Sequence, residues 1–250
     1  MDRAQQLIVF QSQTKNIKEL DRAWRIAKIS LNLALKNDRD TEARIHTKTL
    51  SLIYSAWTEA LFSKLIHTPY GFELSEIESI KKLKGMEAQW RRCLKVAKAK
   101  VLSAPTFNSV QLSSADTYIK KLIIDYVKTP SALRNRIAHG QWVVAFQGDS
   151  VTDISPDLTL AIEELNVVAL DNLKMGFKGL ADIIEAMIES PNNAFVKDYT
   201  KVESDLKSNL SRRSGYTLLG HIQSLKGKYA YRLLKPTRLA NCICSIQDDG

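Results

Sequence analysis

The sequence predicts an all-α protein. Apolar residues recur at helical spacing through several long stretches. Capping and helix-breaking residues close those stretches. Strand-like patterning is confined to about residues 141–169, where a small β-hairpin insertion is expected.

Ile17, Leu20, Trp24, Ala27, Leu31 and Leu35 share one face of a first helix over about residues 16–36, which stops at the polar turn Asn37-Asp38-Arg39-Asp40. A second helix over about 41–66 turns Leu50, Ile53, Trp57 and Leu61 inward and breaks at His67-Thr68-Pro69-Tyr70-Gly71. On its opposite side Leu52, Glu59 and Ile66 recur, flanked by Ser55, Ala56, Phe62 and Ser63. A carboxylate in so small and apolar a stripe is expected to have a partner.

Ser75 and Glu78 have capping-box spacing and open a third helix, whose core face is Ile77, Ile80, Leu83, Trp90, Leu94 and Val101. Its other face carries Lys84, Arg91, Arg92, Lys95 and Lys98. After a loop around Pro105 and Asn108, Ser114 is expected to cap a helix through Tyr118, Leu122, Ile123 and Tyr126. Thr129-Pro130 reads as an N-cap with proline at the first helical position, and Gly140 as the left-handed cap that ends the short helix between them.

Gln141 to Phe146 is β-prone, Gly148-Asp149 reads as a turn, and Val167-Val168-Ala169 as a further extended piece. Asp171 is expected to cap the next helix, built on Leu173, Phe177, Leu180, Ile184 and Met187, which stops at Ser190-Pro191-Asn192-Asn193. The resulting plan is a helical domain over residues 1–191 and a basic helical C-terminal extension over 192–250. In the extension Arg212-Arg213, Lys226-Gly227-Lys228 and Arg232 to Arg238 alternate with Tyr216, Tyr229 and Tyr231.

With 250 residues the chain is long enough for one sizeable core. A net charge of +9 and a pI near 9.4 point to a polyanionic partner, nucleic acid first among them. Cys93, Cys242 and Cys244 form neither a disulfide framework nor a zinc-finger spacing, so a reducing, cytoplasmic setting is expected. The run Leu7 to Phe10 is too short for a signal peptide or a membrane span, and no membrane association is expected. No metal or cofactor is expected, and His46, His67 and His221 read as structural or solvated.

The densest chemistry lies in Arg134-Asn135-Arg136-Ile137-Ala138-His139-Gly140. His139 falls on the last helical turn, where the carbonyl ends of the helix favour a cationic ring. Asn135, four residues earlier, shares its face, while Arg134 projects to an adjacent one. RNA cleavage needs a base near the 2′-hydroxyl, an acid for the departing 5′-oxygen and positive charge around the phosphorane. His139 and Arg134 are groups of those kinds, and RNA carries its own nucleophile.

The string Arg134-Asn135-Arg136-Ile137-Ala138-His139 resembles the signature of HEPN domains: an arginine, a polar residue, three further residues and a histidine. An acidic residue on an earlier helix, here Glu59, and a helix following the motif are similar to the same family, and the resemblance covers about residues 16–190. It implies an all-α bundle and a metal-independent endoribonuclease, a toxin or antiviral defence effector. In such enzymes two copies pair to form one composite cleft, and RNA is cut by 2′-hydroxyl attack to leave a 2′,3′-cyclic phosphate.

On that basis His139 transfers protons, Arg134 stabilises the phosphorane, Asn135 orients the histidine or a phosphate oxygen, and Glu59 holds Arg134 or His139. Arg136, Arg91, Arg92, Lys95, Arg212 and Arg213 are candidates for RNA contact. Expected partners are RNA, a second copy of the chain, and an antitoxin or regulatory protein. The competing expectation is a non-catalytic member of the fold, a nucleic-acid-binding or scaffold subunit of a defence or toxin–antitoxin complex.

Overall fold

A computed structural model describes residues 1–103, 109–148 and 152–234. Pro105, Asn108, Asp149, the segment 235–250 with Cys242 and Cys244, and the side chains of Tyr229, Tyr231 and Arg232 lie outside the described residues. Among the described residues there are helices and no strand.

Helix α1 spans Arg3–Lys36 and α2 spans Asp40–Ile66, forming the most extensive helix pair of the molecule. Asp38, at φ +54°, turns the chain between them. α1 starts well before the residue 16 that its apolar periodicity marks. The Asp2 carboxylate accepts from the Gln5 N–H at 2.8 Å, and the Gln5 side chain returns a bond to the Asp2 N–H at 2.9 Å. Gln6 is buried and donates to the Thr68 carbonyl at 3.1 Å, while Arg3 donates to the Phe72 carbonyl at 3.0 Å. Polar docking on the link after α2 therefore orders a segment whose pattern carries no apolar stripe.

The expected third helix is two helices. α3 covers Leu74–Lys81 and α4 covers Met86–Leu102, separated where Gly85 takes φ +85°. Leu83 lies in that break and is exposed rather than in the core. The capping pair also sits two residues earlier than expected: Glu76 accepts from the Glu73 N–H at 2.7 Å.

α5 spans Ser109–Ile123, so Ser114 lies within the helix and does not start it. A π-helical turn at Ile124–Lys128 leads without a break into α6, Thr129–Ala138. Thr129 is helical and donates to the Ile124 carbonyl five residues back, so it is not an N-cap. Pro130 has no N–H to give and its ring crowds the preceding turn, and a locally widened helix accommodates both. The proline marks a change of helical register, not a beginning.

Between residues 141 and 155 the described residues carry one isolated antiparallel bridge, Phe146 with Ile154. It is flanked by bonds from Gln147 to Asp153 and from Ser155 to Ala145, both at 2.7 Å. Helix α7 follows at Pro156–Glu164, and α8 runs Val167–Glu189. Val167 to Ala169 are thus helical, not extended: the Asn166 side chain caps the helix, accepting from the Val168 and Ala169 N–H groups at 3.0 and 3.1 Å. Asp171 sits inside α8 and pairs with Lys28 at 2.5 Å instead of capping. A second π-helical turn, Pro191–Phe195, leads to α9, Val196–Ser214, and α10 spans Leu218–Leu234.

α8 packs against α2, α4, α5 and α9 and organises the core. Phe177 meets Trp57 and Trp90 edge-on, with centroids 6.1 and 5.3 Å apart, and Phe62 lies 4.9 Å from Trp90. Phe195, Tyr199 and Leu206 extend the same buried cluster into α9. α10 is tied to α1 and the turn after it through His221 with Asn32 at 2.8 Å and Lys226 with Asp38 at 2.7 Å. No helix among the described residues is long and apolar enough to cross a membrane.

Candidate active site

The end of α6 is fixed by its own backbone and by what packs beneath it. The Gln141 N–H reaches the Arg136 carbonyl at 2.9 Å and the Gly140 N–H the Ile137 carbonyl at 3.1 Å, with Gly140 at φ +81°. This is the double bond pattern of a Schellman stop, which a side chain with a Cβ would strain at position 140. Ile137 is buried with Ala145 and Ile162, against Leu52 and Leu133. The Trp142 indole N–H donates to the Ile137 carbonyl at 3.0 Å, holding the following loop against the helix end.

On this base His139 is exposed, and its N–H closes onto the Asn135 carbonyl at 3.0 Å. Asn135 is exposed one turn earlier. The Arg134 side chain is mostly covered, and its guanidinium lies 3.0 Å from the Glu59 carboxylate of α2, which itself is 58% exposed. Two further guanidinium nitrogens of Arg134 approach the Asn135 amide oxygen at 3.3 and 3.4 Å. The structure thus brings Glu59, Arg134 and Asn135 into one cluster at the α2–α6 junction, with His139 on the next turn.

Arg134 lies over a hollow of about 10 Å³ lined by Tyr54, Thr58, Tyr126, Pro130 and Phe177. That is space for roughly one water, so it is not a ligand pocket. The Tyr54 hydroxyl is buried without a hydrogen-bond partner, and burial pushes its pKa well above the ordinary tyrosine value, partly opposed by the Arg134 charge. The sequence pattern gave Tyr54 no part at this site; the signal available was a phenol on the α2 turn preceding Glu59.

The other candidate residues are placed separately. Arg136 donates to the Gly148 carbonyl at 2.9 Å and so braces the 140–148 loop. On α4, Arg91 pairs with Glu87 at 2.8 Å and the Arg92 Nε donates to Ser79 at 3.2 Å, while Lys95 is exposed. Glu87 also lies 3.7 Å from Lys128, just ahead of α6. In the last turn of α9, Arg212 donates to Asn209 at 2.6 Å and Arg213 lies 3.9 Å from Asp171. Among the described residues none of these hydrogen bonds or ion pairs joins the cations to Arg134 or His139.

Among the described residues no three His, Cys, Asp or Glu side chains converge as a metal-binding group. Cys93 is a buried free thiol whose pKa burial pushes up. His46 is half-buried, His221 bonds to Asn32, and His67 is buried with its Nδ1 2.6 Å from the Ser63 carbonyl. Set against known proteins, the chain matches no family, no curated protein and no solved structure.

Proposed function

We propose that the chain is a metal-independent endoribonuclease of the HEPN type, acting as a cytoplasmic toxin or antiviral defence effector. One observation supports this most: Arg134, paired with Glu59 and touched by Asn135, sits one turn before an exposed His139 on a helix end stopped by Gly140. Residues 141–155 then form an insertion in a HEPN-like bundle.

In this reading RNA supplies the nucleophile. A base removes the 2′-hydroxyl proton, the 2′-oxygen attacks the adjacent phosphorus, and the 5′-oxygen leaves with a proton from an acid. The products are a 2′,3′-cyclic phosphate and a 5′-hydroxyl. His139 exchanges the protons, and a second copy of the chain facing the first supplies the other histidine, so that one ring acts as base and one as acid. Arg134 meets the charge that grows on the equatorial phosphate oxygens. Glu59 is a positioning residue, because it keeps the guanidinium from swinging to solvent. Arg136, Arg91, Arg92, Lys95, Arg212 and Arg213 meet flanking phosphates, exchanging their present carbonyl, carboxylate, hydroxyl and amide partners for RNA where they have them.

A second reading, a non-catalytic nucleic-acid-binding or scaffold subunit, draws support from the contacts of Arg134 and Arg136, which a purely structural helix end would also make. The two readings part in one experiment: wild type, Arg134→Ala and His139→Ala are incubated with end-labelled transfer RNA in EDTA and fragment termini are analysed. The proposal expects cyclic phosphate ends from wild type and at least about a hundredfold less cleavage from each variant. Equal cleavage by all three proteins contradicts it.

A further inference from the structure

Cations collect at the corner where α9 ends and α10 begins. The Tyr216 N–H closes onto the Arg213 carbonyl at 3.0 Å, so the turn after α9 sets an aromatic ring beside an exposed arginine. Tyr216 is 41% exposed. Its ring meets the His221 ring at a right angle, with centroids 5.9 Å apart, and its hydroxyl lies 3.3 Å from the His221 Nδ1. His221 in turn holds Asn32 of α1 through Nε2 at 2.8 Å. These contacts orient the tyrosine ring while leaving much of it in solvent.

The charges around that ring do not cancel. Asp171 of α8 lies 2.5 Å from Lys28 of α1 and 3.9 Å from Arg213, one carboxylate between two cations. Lys228 is exposed two turns beyond His221 on the same side of α10. Burial, and then the Lys28 charge, hold the His221 pKa below the ordinary histidine value; Lys228 acts with them and Asp171 against them. His221 is therefore uncharged at neutral pH and lies in the field of both lysines. Lys28, Arg213 and Lys228 thus carry three positive charges against one negative. The adjoining pairs Lys174–Asp21 and Lys226–Asp38, at 2.6 and 2.7 Å, add nothing net. Solvent screens the contact of the 46% exposed Arg213 with Asp171, so a phosphate can replace it at little cost.

Positive charge alone would suit any polyanion, but an exposed ring among those charges adds a platform for an unpaired base. In a duplex the bases are stacked on one another and offer the ring nothing. We propose that the α9–α10 corner holds single-stranded nucleic acid, with one base stacked on Tyr216 and the adjoining phosphates met by Arg213, Lys28 and Lys228. The inference rests on the ribonuclease reading only in taking that strand to be RNA. Neither stacking nor phosphate contact needs a 2′-hydroxyl, so single-stranded DNA binds as well.

Fluorescence anisotropy of a labelled oligothymidylate of about twelve nucleotides, titrated with the full chain in about 50 mM salt, tests it. This probe has no 2′-hydroxyl and is not cut by 2′-hydroxyl attack, so binding is read apart from cleavage. Wild type binds it saturably, and binds the same strand annealed to oligoadenylate more weakly although the duplex carries more charge. Tyr216→Ala weakens single-strand binding about tenfold, whereas Tyr216→Phe, which keeps the ring, retains wild-type affinity. Arg213→Gln and Lys228→Gln weaken it too, and each lowers the slope of log affinity against log salt by about 0.7. No saturable binding, a duplex bound as tightly as the single strand, or wild-type affinity in Tyr216→Ala would overturn the proposal. Binding as expected by a chain that cuts no transfer RNA upholds it and removes the ribonuclease reading alone.

Discussion

The aromatic core around α8 and the helix end at His139 lie on either side of Arg134, and they are built in opposite ways. Trp57, Trp90 and Phe177 are buried against one another, each filling volume that nothing else in the fold would fill. Glu59, Asn135 and His139 are exposed and contribute few contacts. Stability is therefore concentrated in the core and reactive groups at the helix end, and the two can be perturbed separately. Arg134 links them, since its mostly covered side chain lies over Tyr54 and Phe177 while its charge meets an exposed carboxylate.

The largest loss of stability is expected in the core. Trp90→Ala should cost about 3–5 kcal/mol, read from denaturant unfolding, because the cavity it leaves is walled by Phe62 and Phe177. Gly176→Val comes next, at about 1–3 kcal/mol. A Cβ on Gly176 would lie 2.2 Å from the Tyr126 ring, which would have to move and carry the π-helical turn with it.

Next in size is a pH effect at His67. Burial holds its pKa below the ordinary 6.5, so on acidification the unfolded chain takes up the proton before the folded one does. Stability is full above pH 6.5 and falls as pH drops below it, by at most about 1.4 kcal/mol per pH unit from this group. His67→Leu should flatten that slope in thermal unfolding measured between pH 5 and 7; an unchanged slope would place the effect elsewhere. The smallest change belongs to Glu59→Gln. A pair whose carboxylate is exposed, such as Glu59–Arg134, contributes about 1 kcal/mol or less, so unfolding should barely shift while RNA cleavage drops. Full cleavage by this variant would remove Glu59 from the site.

The same contrast explains what could be read from the sequence. α2 was legible because Leu50 and Trp57 mark its inner face and Pro69 and Gly71 its end, and the stop at Gly140 was legible because a left-handed position favours glycine. The motif residues announced themselves by chemical type. What stayed hidden depends on long-range contacts: the first turns of α1 are helical because Gln6 and Arg3 bind carbonyls more than sixty residues away. Val167 to Ala169 favour strands by composition and are helical because Asn166 caps them and Val167 and Val168 are buried in the core as the first turn of α8.

The most direct test of the division between core and helix end is His139→Ala, measured for thermal unfolding and for transfer RNA cleavage in EDTA. An unchanged unfolding temperature and cleavage lower by at least about a hundredfold are expected. Undiminished cleavage, or a protein destabilised as far as the Trp90→Ala variant, would contradict that division.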